Sequence, residues 1–251
     1  MPHVYTVAMH PLDQLIVALD FPSQRDAMQM VDRLDGTVRW VKVGLELYLA
    51  EGRAVVDALR AHNLEVFLDL KLHDIPNTVA SAVRIAGQTG ASLLTVHAAG
   101  GPAMIAAAVD AAPASLRLLA VTVLTSMDET ELHAVGVEGN PQEQVVRLGT
   151  MAMAAGVYGL VCSPAEITPL RSSAVQQYRL VVPGIRPSGY PADDQRRTAT
   201  ASDAIRSGAD MIVVGRPVTR ASDPAATARH LLDEIAAAKL NLDLVRCDHK
   251  Q

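Results

Sequence analysis

The chain has 251 residues, 49% of them hydrophobic, 20% charged and 3% aromatic, enough apolar material for one large aliphatic core and a composition that excludes a disordered chain. A net charge of −5 and a pI near 5.9 exclude nucleic-acid binding driven by bulk charge, while leaving room for a local basic pocket that takes a small anion. Cys162 and Cys247 cannot build a disulfide framework, the first ten residues lack the pattern of a signal peptide, and the longest uncharged apolar stretch (151–162) is too short to cross a bilayer, so a cytoplasmic protein with no membrane partner is expected.

Along the chain one unit recurs: a short Val/Ile/Leu run, a polar turn, then an alanine-rich amphipathic stretch. The runs are LIVAL from Leu15, VRWVKV from Val38, LEVFLDL from Leu64, SLLTV from Ser92, RLLAVTVL from Arg117, VYGLV from Val157, RLVVP from Arg179 and DMIVV from Asp210. Their starts lie 23, 26, 28, 25, 40, 22 and 31 residues apart, room for one strand and one crossover helix each, the connection that forces parallel pairing. Asn77 or Thr78 is placed to cap the helical stretch that ends near Gly90. Ser222, followed by Asp223 and Pro224, is placed to cap the last one. Eight β/α units in this length predict a single-domain (β/α)8 barrel over residues 1–251, with an N-terminal extension (1–11) and a C-terminal tail (239–251); a doubly wound open sheet is the rival arrangement.

A barrel does its chemistry at the carboxyl ends of its strands. Those ends read Asp20, Lys42, Asp69 with Lys71, His97, Thr125 with Ser126, Ser163, Pro183 to Arg186, and Gly215 with Arg216. The densest group is Asp69-Leu70-Lys71-Leu72-His73-Asp74. Strand alternation predicts Asp69 and Lys71 on one face and Leu70 on the other. An ammonium held beside a carboxylate can donate a proton or pin an anion. The bland alternative for an isolated Asp-x-Lys is a structural ion pair, but Lys42 and Asp74 make a larger charged set that is costly to assemble without a use.

The second region is PGIRPSGYPADDQRR and, one helix later, VVGRPVTR. The loops after the seventh and eighth strands of a barrel commonly bind phosphate. Gly215 lets the backbone approach an oxyanion, Arg216 and Arg186 supply a charge-assisted clamp, and the segment from Arg186 to Arg197 has the composition of a lid. An ordinary helix start with a solvated arginine is the alternative. His97 reads as a hydrogen-bonded structural group and Cys162 as a buried small hydrophobe. The histidines and cysteines show no metal-ligand spacing, and there is no G-x-S-x-G, Walker loop or early G-x-G-x-x-G.

On these residues the sequence resembles the orotidine 5′-phosphate decarboxylase family. FLDLKLHDIPNTV carries the resemblance most specifically, supported by IVALDFPS, VKVGLELY, AVTVLTSM, VVPGIRP, the spacing to Gln195, and VVGRPVTR. The resemblance implies decarboxylation of orotidine 5′-monophosphate to UMP, in pyrimidine biosynthesis, without cofactor or metal. It implies Lys71 as proton donor to C6, flanked by Asp69 and Asp74, with Asp74 reaching into a neighbouring subunit's site in a homodimer. Lys42 completes the charged array and, with Asp20, holds the ribose hydroxyls, while Thr78 contacts ribose across the interface. Thr125, Ser126 and the backbone at Pro183 face the pyrimidine. Gln195, Gly215 and Arg216 bind phosphate, supported by Arg186. Two alternatives share parts of this pattern. Keto-gulonate phosphate decarboxylases and hexulose phosphate synthases share Asp-x-Lys-x-x-Asp but use magnesium and a sugar phosphate; HDIPNT and Thr125-Ser126 argue against them. A barrel that binds a nucleotide without catalysis is opposed by the intact Asp69, Lys71 and Asp74. The chain length leaves no room for a fused phosphoribosyltransferase domain.

Overall fold

The computed structural model describes residues 9–173, 178–187 and 198–248, with side chains of the last helix as far as residue 240. Eight strands carry the architecture: β1 (Leu15–Ala18), β2 (Trp40–Val43), β3 (Glu65–Leu72), β4 (Leu93–His97), β5 (Arg117–Val121), β6 (Gly159–Val161), β7 (Arg179–Val182) and β8 (Met211–Val214). The helices are α1 (Gln24–Leu34), α2 (Leu45–Glu51), α3 (Arg53–Ala61), α4 (Pro76–Gly87), α5 (Gly101–Ala111), α6 (Glu129–Ala134), α7 (Pro141–Ala154), α8 (Ile167–Ser172), α9 (Ala201–Ser207), α10 (Arg216–Thr219) and α11 (Pro224–Asp248). Every neighbouring strand pair is parallel, and β1 pairs with β8 through Ile16–Val213 and Val17–Val214. That closing pair makes the sheet a (β/α)8 barrel and excludes the doubly wound alternative.

Alternation along each strand sorts residues into two cores. Ile16, Ala18, Phe67, Leu93, Leu119, Val181, Met211 and Val213 fill the barrel interior, with Trp40 and Val161 packed against them. Leu15, Val17, Val41, Val43, Val66, Leu68, Leu94, Val96, Leu180, Val182, Ile212 and Val214 face outward under the helices. Among the described residues Phe67 is the one large aromatic fully buried in the interior, and its truncation to alanine would remove about 3–5 kcal/mol. Counting in twos up the inward parity leads from Ala18 to Asp20, from Trp40 to Lys42, from Phe67 to Asp69, and from Met211 through Val213 to Gly215. The same rows that are oily at the bottom turn polar at the carboxyl mouth.

Two helix caps differ from expectation. α4 starts at Pro76 with Ile75 as its unbonded cap residue. Pro76 brings a preset φ and no N–H, so Asn77 and Thr78 fall inside the first turn, both exposed, and the helix ends at Gly87 rather than near Gly90. At α11 the cap is Asp223, whose Oδ1 accepts the Ala226 N–H at 2.8 Å, one residue later than Ser222. α11 itself runs on through the stretch expected as a tail.

Candidate active site

Lys42 is buried at the mouth, 9% exposed. Its Nζ lies 2.9 Å from Asp20 Oδ1 and 3.7 Å from Asp69 Oδ2. Asp69 Oδ1 in turn lies 2.9 Å from Lys71 Nζ. Asp20, Lys42, Asp69 and Lys71 therefore form one alternating chain across β1, β2 and β3. Two unit charges about 4 Å apart attract by about 4 kcal/mol at an effective dielectric of 20, reduced by solvent screening at the open Asp20 carboxylate and offset by the cost of desolvating Lys42 and Asp69. Gly44 keeps this chain compact. A Cβ there would stand 3.0 Å from Lys42 Nζ and 3.1 Å from Asp20 Oδ1.

Asp69 and Lys71 do meet, but simple alternation is not the cause. Leu68 pairs with Leu94 and Leu72 with Val96, so four residues of β3 advance against two of β4. Lys71 takes up this bulge with φ +51°, an uncommon conformation for a residue other than glycine. Thr95 holds it there. The Lys71 N–H donates to Thr95 Oγ1 at 2.8 Å, and the same hydroxyl donates to Asp69 Oδ1 at 3.1 Å. Leu70 turns outward to the helix-side core, as expected.

Three of these charges, all but Asp20, lie on the wall of a cavity of about 240 Å³. Lys42, Asp69, Lys71, Thr125, Pro183, Arg186, Gly215 and Arg216 all line it. Arg186 is buried, with Nη1 donating to the Ile185 carbonyl at 2.9 Å. Arg216 opens α10 directly after Gly215. Across the barrel, the ends of β5 and β6 supply apolar lining: Val121, Val123, Leu124, Val161 and Cys162. This gives the cavity a charged side, an apolar side and two arginines at one end, which suits a flat ring joined to an anion.

Other expected residues lie elsewhere. Ser126 is exposed and outside the lining. Asp74 and Thr78 are also exposed, and Asp74 Oδ1 accepts the Ile75 N–H at 2.6 Å. Within one chain, then, Asp74 stands apart from the Lys42–Asp69–Lys71 array. Gln195, and the expected lid from residue 188 onward, lie outside the described residues. Cys162 is buried, and burial followed by the Glu166 carboxylate pushes its thiol pKa up; it is a wall residue, not a nucleophile. Among the described residues no cluster of three or more His, Cys, Asp or Glu could hold a metal ion, and no helix is long and apolar enough to cross a membrane. Thr95, Gly44 and the apolar wall were not singled out from the sequence. Thr95 offered a polar side chain at inward parity, and Gly44 a glycine two residues beyond Lys42.

A family model described as orotidine 5′-phosphate decarboxylase / HUMPS matches residues 13–231. The chain belongs to this family. It is 52% identical over 225 residues to the orotidine 5′-phosphate decarboxylase of Opitutus terrae, spanning 88% of this chain and 97% of that one. The same comparison with the Thermobifida fusca decarboxylase gives 49% over 222 residues, 88% of this chain and 95% of the other. The crystal structure of the orotidine 5′-phosphate decarboxylase from Lactobacillus acidophilus matches with a TM-score of 0.79 at 37% identity, covering 88% and 98% of the two chains. These homologues carry the name of a carboxy-lyase, and the expected family and barrel are both borne out.

Proposed function

We propose that this member of the family decarboxylates orotidine 5′-monophosphate to UMP, with Lys71 as the proton donor. The observation that carries the reading is the continuous Asp20–Lys42–Asp69–Lys71 chain beside an apolar wall and two arginines. Loss of CO2 from C6 leaves an electron pair in the ring plane with no π-system to spread it. The Lys71 ammonium, fixed by Asp69 and by the Thr95-held bulge, stabilises that charge as it develops and then supplies the proton, a preorganised electrostatic contribution. Asp69, beside the departing carboxylate, disfavours the ground state. Lys42 and Asp20 hold the ribose hydroxyls, Thr125, Ser126 and the Pro183 backbone face the pyrimidine, and Arg186, Gln195, Gly215 and Arg216 take the phosphate. Phosphate binding is remote from the breaking bond, so its energy can be expressed in the transition state.

The reading includes a homodimer with shared sites. Asp74 and Thr78 sit at the start of α4 on an exposed surface that also carries Ile75 and Ile85, 67% and 61% exposed. Exposed aliphatics beside a carboxylate that the chain's own array does not use suit a face that meets a second copy. In that dimer Asp74 of one subunit completes the array of the other and Thr78 contacts its ribose.

The test is ultraviolet absorbance of orotidine 5′-monophosphate incubated with purified protein and EDTA. Conversion to UMP that disappears in Lys71→Ala supports the reading. Absence of conversion by folded wild-type protein overturns it and favours the magnesium-dependent sugar-phosphate enzymes. The shared site is tested by mixing Lys71→Ala with Asp74→Ala protein, since heterodimers regain one intact site only if the two residues come from different subunits.

A further inference from the structure

Behind the pocket, at the corner between β3 and β4, two imidazoles meet. His73 and His97 stack with ring centroids 5.3 Å apart and planes inclined by 20°, and neither lines the cavity. His97 is the last residue of β4, two beyond Thr95. Its Nδ1 accepts the Ala99 N–H at 3.3 Å, an acceptor role open only to the neutral ring with its proton on Nε2. His73 stands between Lys71 and Asp74 in the turn that leaves the β3 bulge. The stack therefore ties the segment bearing both proposed catalytic groups to the strand that bears Thr95.

The surroundings of His97 favour its neutral ring. Burial, then His73, then Lys71 hold the His97 pKa below its ordinary value. β5 presents Val121 beside His97, and the helices packed around the 98–100 turn carry Asp110, Glu143 and Arg147. Protonating His97 removes its Nδ1 acceptor and sets a cation against His73 and Lys71. Because the folded state binds this proton less readily than the unfolded chain, the stabilisation is fully present above the unfolded pKa and is lost as the pH falls through the lower folded value.

We propose that the His73–His97 stack is a positioning device that sets the Lys71–Asp74 turn, and that its protonation loosens the turn and produces the acid limb of activity. This rests on the decarboxylase reading above for its kinetic readout, but not for its structural one. Both residues are positioning residues, since neither touches the cavity.

The experiment pairs pH profiles of turnover with NMR titration of the histidine side chains in the intact protein. In wild type, His97 is expected as the Nε2–H tautomer with a midpoint below the ordinary histidine value. His73→Ala, which removes the stack, is expected to lower kcat about tenfold with little change in KM, the cost of a misplaced proton donor. His73→Phe keeps a ring against His97 while removing the neighbouring titratable group. It is expected to restore kcat at pH 8 and to move both the His97 midpoint and the acid limb to higher pH. A His97 midpoint at or above the ordinary value, or a His73→Ala enzyme with unchanged kcat and acid limb, overturns the proposal. Absence of turnover by wild type at every pH would instead strike the decarboxylase reading, leaving the NMR tautomer and midpoint to decide the stack.

Discussion

Thr95, on β4, donates its hydroxyl to Asp69 Oδ1, on β3, at 3.1 Å. The contact lies where the register between the two strands breaks, and the same oxygen receives the Lys71 N–H. One buried hydroxyl thus fixes a carboxylate and the backbone of the neighbouring lysine. Thr95→Val keeps the shape and deletes both bonds, leaving the Lys71 N–H without this acceptor and Asp69 Oδ1 with the Lys71 ammonium. A loss of about 1–3 kcal/mol in stability is expected, with kcat reduced on the order of tenfold or more because the Lys71 ammonium is no longer held. Denaturant unfolding and steady-state kinetics on one preparation check both; unchanged kcat with reduced stability would make Thr95 a packing residue alone.

Gly44 serves the same array from the other side. Its φ of −90° is open to any residue, so backbone strain plays no part in Gly44→Ala. The added methyl would instead stand 3.0 Å from Lys42 Nζ and 3.1 Å from Asp20 Oδ1, and this pair must give by a few tenths of an ångström. Because Lys42 and Asp20 are assigned to the ribose hydroxyls, the expected outcome is an increase in KM on the order of tenfold with little change in melting temperature. A crystal structure of the variant should show a lengthened Lys42–Asp20 contact; an unaltered contact with unaltered KM would refute the steric argument.

The contrast between these two residues and the rest of the site shows what a sequence can display. Asp20, Lys42, Asp69 and Gly215 fall at the ends of apolar rows whose alternation can be counted in twos, so their convergence follows from the period of a strand. The Lys71 bulge does not, because a left-handed lysine has no signature in composition or propensity. Thr95 within SLLTV reads as one more β-branched strand residue, and its hydroxyl gains meaning only when Asp69 stands beside it. The caps at Asp223 and Ile75 lie one and two or more residues from their expected places because proline sets where the helix begins. Asp74 is a further case: its sequence neighbours mark it as part of the array, yet its position in the fold is exposed, and only the proposed dimer gives it a use.

The arginines at the far end of the cavity should separate binding from chemistry. Arg216 and Arg186 line the cavity with Gly215, and neither is part of the Asp20–Lys71 chain. A charge-assisted hydrogen bond to a dianion contributes about 1.5–3 kcal/mol. Arg216→Ala is therefore expected to raise KM by about 10- to 150-fold, and the difference from wild type should shrink as ionic strength rises. Orotidine lacking its phosphate supplies the control: both proteins should handle it equally poorly. If Arg216→Ala impairs the phosphate-free compound as severely as the nucleotide, the residue acts on something other than the phosphate.

At the opposite end of the barrel, Asp210 tests whether stability can be lowered without touching the site. Its carboxylate lies 2.5 Å from Arg171 Nη2 and 2.7 Å from Arg179 Nη1, and it accepts the Leu180 N–H at 2.8 Å. All three side chains are largely withdrawn from solvent, at 15–23% exposure. Asp210→Asn leaves two guanidinium groups facing a neutral amide. Removing one partner of a fully buried pair costs about 3–5 kcal/mol, and residual solvent access lowers this to about 2–4 kcal/mol. For a chain of this size that corresponds to a melting temperature lower by roughly 5–15 °C. Asp13→Asn, which breaks the more open contact with Arg39 at 54% and 28% exposure, should cost under about 1 kcal/mol. Both variants should keep wild-type KM where they remain folded, because their partners line the amino end of the strands and the cavity lies at the carboxyl end. Calorimetry with matched kinetics decides it. Equal melting temperatures for the two variants would mean that burial of the Asp210 cluster does not strengthen it, and a raised KM in Asp210→Asn would mean that the two ends of the barrel are mechanically coupled.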